Sequence, residues 1–363
     1  MYNIHSHYEN IFRLACNKWP EGVVIVYPFP FGASSVDSLE WLNSGGEDKG
    51  PVLFCYDQEP LIPGYNDPLF DFVKNQFGNN RRIILLNTEL NSEPKNYFLN
   101  KYQFEDCYYF YHIFAAHDWF RGYRYSPHII TPIERKVNKK FISFNRITGN
   151  ARSYRSIAVA DLKRRGLLDQ GHISYSVDCP EHGNNIAQIR WTEQTLNLDL
   201  QWVVDQLTDL PELRIDTGNN EHIPNGSMVL SAIDQCMESF LFVVTETEFW
   251  GTKCHLTEKV FKPIISEMPF VLLGPANNLA YLKSYGFKTF DKWWDESYDS
   301  IVDPIDRILA VNQIIANLCK LSNEELETML AEMSETLAHN RRWFESNNFL
   351  DSAWQELKNN LLL

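Results

Sequence analysis

Phe240-Leu241-Phe242-Val243-Val244-Thr245 is a short run, apolar until its last residue and built of aromatic and β-branched side chains. A strand with one face in water alternates between apolar and polar residues. A continuous run closed by polar residues reads as a strand buried on both faces, at the centre of a parallel sheet. The residues after it extend the pattern: a helix over 257–266, a strand over 269–273, and a helix over 277–285 that Gly286 ends. Strand and helix in regular alternation predict an α/β fold.

The same alternation continues upstream. Lys140-Phe141-Ile142-Ser143-Phe144-Asn145 reads as a strand, 153–165 as a helix closed by Gly166, and 172–176 as another strand, with helical stretches near 193–207 and 227–238. Before them the pattern breaks at Thr131-Pro132-Ile133-Glu134-Arg135-Lys136, which sets a boundary near residue 137. The first third has its own β-rich runs at 23–27, 52–56, 83–87 and 108–114, with a crossover helix expected near 68–75. The reading is two doubly wound α/β domains, 1–136 and 137–345, with helical patterns over 323–340 and 350–362. The segment 346–363 is expected to pack back on the first domain. Ligands of such folds collect outside the carboxyl ends of the strands, here expected to face an interdomain cleft.

The chain has 363 residues and a formal net charge of −14, with 44% apolar and 22% charged residues, a globular composition that excludes bulk disorder. Its average charge argues against non-specific attachment to nucleic acid. Yet from Arg121 to Arg165 there are twelve basic residues against Glu134 and Asp161, a cationic band suited to a phosphorylated ligand. The seven scattered cysteines lack a Cys-x-x-Cys pair and read as reduced core residues. Cys179-Pro180-Glu181-His182 and Cys254-His255 lack a second ligand pair at zinc spacing, so no metal is expected. No apolar run has the length of a spanning helix and the N-terminus shows no signal pattern, so the expected location is the cytoplasm, or host cytoplasm for a viral protein.

The densest polar stretch follows the central run: Thr245-Glu246-Thr247-Glu248-Phe249-Trp250-Gly251-Thr252-Lys253-Cys254-His255-Leu256-Thr257-Glu258-Lys259. A loop leaving a buried strand and entering a helix offers free N–H groups and a positive dipole end, an anion site in which Thr257 caps and Lys259 adds a point charge. In the first domain, Asp57-Gln58-Glu59-Pro60 directly follows a buried strand. Its two acids stand where a carboxylate could take a proton from an acceptor hydroxyl, Glu59 first and Asp57 in reserve. Asn87 and Glu89, after the next strand, and His117, after the aromatic run, are acceptor-side candidates.

These residues carry a resemblance. Glu246-Thr247-Glu248, a loop, Leu256-Thr257-Glu258-Lys259-Val260-Phe261 and then Pro269-Phe270-Val271-Leu272-Leu273-Gly274 look like the donor-binding motif of the α1,3-fucosyltransferases. Residues 140–145 with Arg155 and Leu162 are similar to that family's strand and Arg-containing helix. The likeness covers mainly 140–165 and 240–290. Lys262-Pro263 departs from the family's Asn-Ala, and the glycine-rich ending of the first motif is missing.

The resemblance implies a GT-B-like fold of two Rossmann-like domains and an inverting, metal-independent glycosyltransferase that moves a sugar from a nucleotide-sugar, GDP-linked rather than UDP-linked, to a hydroxyl. It implies that Arg155 and Lys259 hold the diphosphate and that Glu258 binds the ribose. Thr257, Glu246, Glu248 and Asn145 are further donor-side candidates, with Arg146 and Arg152 as alternates to Arg155 because the sequence does not say which arginine of this cluster points inward. Glu59-Pro60 resembles the loop that carries the family's base. The expected acceptor is a carbohydrate. A hydroxymethylated base in DNA, as in some viral transferases, is the alternative, and a non-catalytic nucleotide-sugar-binding protein is the alternative of another class.

Overall fold

The computed structural model describes residues 3–30, 33, 35–46, 49–78, 81–120, 122–123, 129–179, 183–215 and 232–362. The expectations placed on Arg121, Arg124, Glu181, His182 and 227–231 lie outside them. In chain order the elements are α1 (His7–Lys18), β1 (Val24–Pro28), β2 (Leu39–Asn43), β3 (Val52–Cys55), α2 (Asp67–Phe77), β4 (Ile83–Asn87), α3 (Glu93–Tyr102), β5 (Glu105–Tyr108) and α4 (Tyr111–Trp119). There follow β6 (Lys139–Asn145), α5 (Tyr154–Arg164), β7 (Gly171–Tyr175), β8 (Asp178–Cys179), β9 (Gly183–Asn184), α6 (Asn185–Leu196), α7 (Gln201–Leu207), α8 (Ile233–Met237) and β10 (Ser239–Thr245). The chain closes with α9 (Phe261–Ile265), β11 (Phe270–Leu273), α10 (Asn278–Ser284), α11 (Pro304–Leu318), α12 (Asn323–Glu332), α13 (Ser334–Glu345) and α14 (Asn347–Leu362).

Two compact units emerge, Met1–Asp118 with Lys253–His255 and Ser346–Leu363, and Trp119–Thr252 with Leu256–Glu345. The division falls ahead of the expected boundary at residue 137, and three residues of the loop after β10 belong to the first unit.

The first unit holds a sheet ordered β2-β1-β3-β4-β5, in which β1, β3, β4 and β5 are parallel and β2 is an antiparallel edge. Val24, Val26, Val52, Phe54, Ile83 and Leu85 point to one face, where they pack with Leu69, Phe70 and Val73 of α2 and Phe98 and Tyr102 of α3. The parallel strands step always in one direction, and right-handed crossovers therefore deliver both helices to that face. This sheet has no switch point, a departure from the doubly wound expectation. Helices at the two chain ends serve instead: α14 packs along β5, and its Trp354 ring lies 4.8 Å from Phe114 of α4 and 5.6 Å from His7 of α1.

The strand expected over 108–114 is corrected. β5 ends at Tyr108, and the following residues form α4. From Tyr111 to Ala116 every side chain is buried, so the segment has no polar face to reveal a helical period, and only Ala115-Ala116 hints at helix. The continuous helical patterns expected over 193–207 and 323–340 are each broken, at Asn197, whose φ is 51°, and at Met333.

The second unit's main sheet is all parallel, ordered β11-β10-β6-β7, with α5 and α11 packed together against it. Its order reverses between β6 and β10, which makes their carboxyl ends a topological switch point. Gly171 opens β7 because a Cβ there would stand 2.6 Å from the Phe141 ring. Among the described residues no helix is long and apolar enough to cross a membrane.

Candidate functional site

The carboxyl ends of β6 and β10 are tied together by hydrogen bonds. The Thr245 hydroxyl donates to the Phe144 carbonyl at 2.8 Å, and Tyr154 Oη donates to the Glu246 carbonyl at 2.6 Å. Arg155, buried in α5, directs its fork at three carbonyls: Nη1 to Ile147 at 2.9 Å, Nη2 to Thr245 at 2.7 Å and to Glu246 at 2.9 Å. The role expected for Arg155 on a diphosphate is therefore corrected. Its bonds hold the loops after β6 and β10 in place, and a buried fork already bonded to carbonyls is a clamp on the backbone. Phe249 is a second anchor, stacked 4.2 Å from Tyr154 and 4.4 Å from the Arg307 guanidinium, which donates to its carbonyl at 3.1 Å.

The loop leads into a compact polar cluster. The Glu246 carboxylate is fully buried and accepts from the Thr257 hydroxyl at 2.5 Å, from the Thr257 N–H at 3.2 Å and from the Thr247 N–H at 3.3 Å. Burial raises its pKa, while Lys259 and Thr257 pull it back. Lys259 Nζ donates to Thr247 Oγ1 at 3.0 Å and Thr257 Oγ1 at 3.2 Å and pairs with Glu258 Oε1 at 3.0 Å. Glu248 is buried on the same loop. The helix expected over 257–266 is a 3₁₀ turn, Glu258–Val260, followed by the five residues of α9. The Thr257 N–H ahead of the turn is taken by the Glu246 carboxylate at 3.2 Å and the Lys259 N–H by Thr257 Oγ1 at 3.4 Å, so the donors expected to form a free anion site have partners within the protein.

Around this cluster, Asn145 is buried, donating from Nδ2 to Ser143 Oγ at 2.8 Å, while its Oδ1 has no hydrogen-bond partner. Arg146 is exposed and Arg152 half-buried. The rest of the cationic band is largely structural: Arg135 donates to the Ser266 carbonyl, Lys140 to Leu321, Lys163 to Gln206, and Arg164 and Arg165 pair with Asp161. Lys262, which appeared in the sequence only as a departure from a motif, has its pKa lowered by burial to about 8.

In the first unit, Asp57 stands just past β3 and is closed to solvent. It accepts from Tyr8 Oη at 2.7 Å and from the Tyr109 hydroxyl. Gln58 Nε2 donates to Tyr8 Oη at 2.6 Å, and His7 Nε2 lies 2.9 Å from Tyr109 Oη. Burial raises the Asp57 carboxyl to about 7 in spite of both tyrosines, and lowers His7 to about 3. Sequence reasoning missed His7, Tyr8 and Tyr109, which come from distant parts of the chain. The burial of Asp57 removes it from contact with an acceptor in this conformation, whereas Glu59 is half-buried.

The acceptor-side candidates divide. Glu89 is buried and accepts from the Leu61 N–H at 3.0 Å, from the Ser92 hydroxyl and from Lys253 Nζ at 3.1 Å, while Ser92 caps α3. Asn87 donates to Asp106 at 2.7 Å and accepts from the Glu89 N–H at 3.2 Å. Both are therefore part of the framework that supports the loops. His117, on α4, has its ring 6.0 Å from Phe349. Among the described residues six cysteines are free thiols, and no group of three or more His, Cys, Asp or Glu is arranged to hold a metal ion.

Compared with family models, curated proteins and solved structures, the chain gives no match.

Proposed function

We propose that the protein is a GT-B-like glycosyltransferase that moves a sugar from a nucleotide-sugar to a hydroxyl acceptor with inversion. The observation that carries this reading is the Glu246–Thr257–Glu258–Lys259 cluster at the carboxyl end of β10, beside the β6/β10 switch point, where α/β sheets bind nucleotides. The motif likeness to the α1,3-fucosyltransferases falls on these same residues, and two consecutive α/β units suit that architecture.

In the reaction the acceptor oxygen bonds to the anomeric carbon as the bond from that carbon to the diphosphate breaks. The acceptor proton passes to the Glu59 carboxylate. The nucleoside diphosphate leaves with added negative charge, which Lys259, Arg146 and Arg152 neutralise. Arg155 acts one step back, by holding the loop that carries Glu246. Glu258 hydrogen-bonds the ribose.

The test begins with thermal shifts against UDP-, GDP-, CMP- and dTDP-sugars, since a ligand at 100 times its dissociation constant stabilises by about 2.7 kcal/mol. The GDP-sugar is expected to give the largest shift. Lys259→Ala should weaken donor binding by about 1.5 to 3 kcal/mol, as for a charge-assisted contact. Glu59→Gln should abolish transfer and leave donor binding intact. Unchanged transfer removes Glu59 from the mechanism. Donor binding without transfer or hydrolysis by the wild type means a binding protein, and no response to any nucleotide-sugar refutes the reading.

A further inference from the structure

Among the described residues of the first unit, five large apolar side chains are well exposed: Phe29 at 43%, Trp41 at 53%, Ile62 at 44%, Tyr65 at 64% and Tyr97 at 38%. Trp41 belongs to the edge strand β2. The other four lie on other segments of this unit. Phe29 follows β1, Ile62 and Tyr65 follow β3, and Tyr97 donates its hydroxyl to Asp67 Oδ1 at 2.9 Å, at the start of α2.

The loop that displays Ile62 and Tyr65 is locked throughout. The Leu61 N–H donates to Glu89 at 3.0 Å, the Ile62 N–H to Asn66 Oδ1 at 2.6 Å and the Gly64 N–H to Asp67 Oδ2 at 2.6 Å. The Tyr65 N–H closes a turn on the Ile62 carbonyl at 3.2 Å. Pro63 and Gly64 hold its central positions with φ +84° at the glycine, the signature of a type II turn. Asn66, fully buried, donates on to Tyr56 Oη at 2.6 Å. A backbone this constrained has little freedom left to lose on binding, and apolar side chains held rigidly in water form a contact surface.

We infer that Ile62 and Tyr65, on the loop that also carries Glu59, form a stacking platform for a neutral saccharide. This inference rests on the transferase reading, of which the platform supplies the acceptor class. The C–H face of a pyranose packs on an aromatic ring while its hydroxyls bond to polar groups at the rim. Charge selects against the nucleic-acid acceptor. After burial, the Glu59 charge is the main influence raising the Tyr56 hydroxyl, Glu89 adds to it, and the nearby Lys101 ammonium is bonded to Asp67. A phosphodiester brought to this rim meets the Glu59 carboxylate, Glu89 being buried against Lys253, and finds Lys101 already bonded to Asp67.

The experiment is saturation-transfer NMR on the full chain with cellotetraose, chitotetraose and lacto-N-tetraose, and separately with an oligothymidylate. The wild type should transfer saturation to at least one saccharide. Tyr65→Ala should bind it about fivefold more weakly, Tyr65→Phe should retain most of the affinity, and Trp41→Ala should match the wild type. Thermal shift with the nucleotide-sugar panel on the same samples separates the two readings. If the donor binds and no saccharide does, or if Tyr65→Ala binds as the wild type does, the platform is refuted and the transferase reading stands. Saccharide binding by a protein that ignores every donor refutes the transferase and keeps the platform as a saccharide-binding site. Binding of oligothymidylate alone replaces the saccharide with nucleic acid.

Discussion

Asp57 and His7 belong to one buried chain of hydrogen bonds through Tyr109, and their titrations pull the stability of the first unit in opposite directions. Burial raises Asp57 from 3.8 to about 7, so between those values the unfolded chain has released a proton that the folded chain keeps, and stability falls as pH rises. Burial lowers His7 from 6.5 to about 3, so between those values the unfolded chain holds a proton that the folded chain has lost, and stability rises with pH. Each slope is about 1.4 kcal/mol per pH unit, and across roughly pH 4 to 6.5 the two oppose each other almost completely.

Asp57→Asn removes one slope and His7→Gln the other. Measured as a difference from the wild type, which cancels every other titrating group, Asp57→Asn should gain about 4 kcal/mol between pH 4 and 7 and stay level above that. His7→Gln should lose a similar amount, about 4 to 5 kcal/mol, between pH 3 and 6.5. The assay is urea unfolding at intervals from pH 3 to 8, read by hydrogen exchange of β3 and β4 so that the transition belongs to the first unit. A difference for Asp57→Asn that does not change with pH would falsify the account of Asp57 as a buried, weakly acidic carboxyl.

Two further substitutions probe the framework. Glu89→Gln keeps the shape of the side chain but removes the carboxylate paired with buried Lys253, and should cost about 3 to 5 kcal/mol in urea unfolding. Adding Lys253→Met should recover much of that loss, and a cost under about 1 kcal/mol for Glu89→Gln would mean the pair contributes nothing specific. Arg155→Lys keeps the charge but cannot span three carbonyls, and should destabilise by about 2 to 4 kcal/mol. Its first symptom should be faster hydrogen exchange over 245–248, and unaltered exchange there would show that Arg155 does not hold the loop.

The strands were legible because burial on both faces leaves a mark that needs no partner: Val52-Leu53-Phe54-Cys55 can hardly be anything but the inside of a sheet. The same criterion failed at 108–114, where a helix buried all round has no period to read. It could not reveal β2 either, whose Glu40, Trp41 and Asn43 are exposed on an antiparallel edge. Within the candidate site, Thr257 as a cap was visible locally because capping is local chemistry. The hydrogen-bond partners of Arg155 and Asp57 were not. Ile147, Thr245 and Glu246 on one side, and Tyr8 and Tyr109 on the other, reach those residues only through the tertiary fold.

That distinction changes how the polar cluster after β10 would handle a nucleotide. In sequence, the N–H groups ahead of residues 258–260 are open donors waiting for a phosphate. In the fold, Glu246 already occupies the Thr257 N–H and hydroxyl, and Glu258 holds Lys259, so the donors a phosphate would use are already bonded to two carboxylates. Groups that donate hydrogen bonds suit such a rim far better than groups that only accept them. On the proposed reading, a donor would lie with its ribose hydroxyls toward Glu258, and its diphosphate would turn outward to the exposed Arg146, the half-buried Arg152 and the partly exposed Lys259. On that reading the positive charge that a departing diphosphate requires would come from Arg146 and Arg152, outside the cluster, together with Lys259 at its edge.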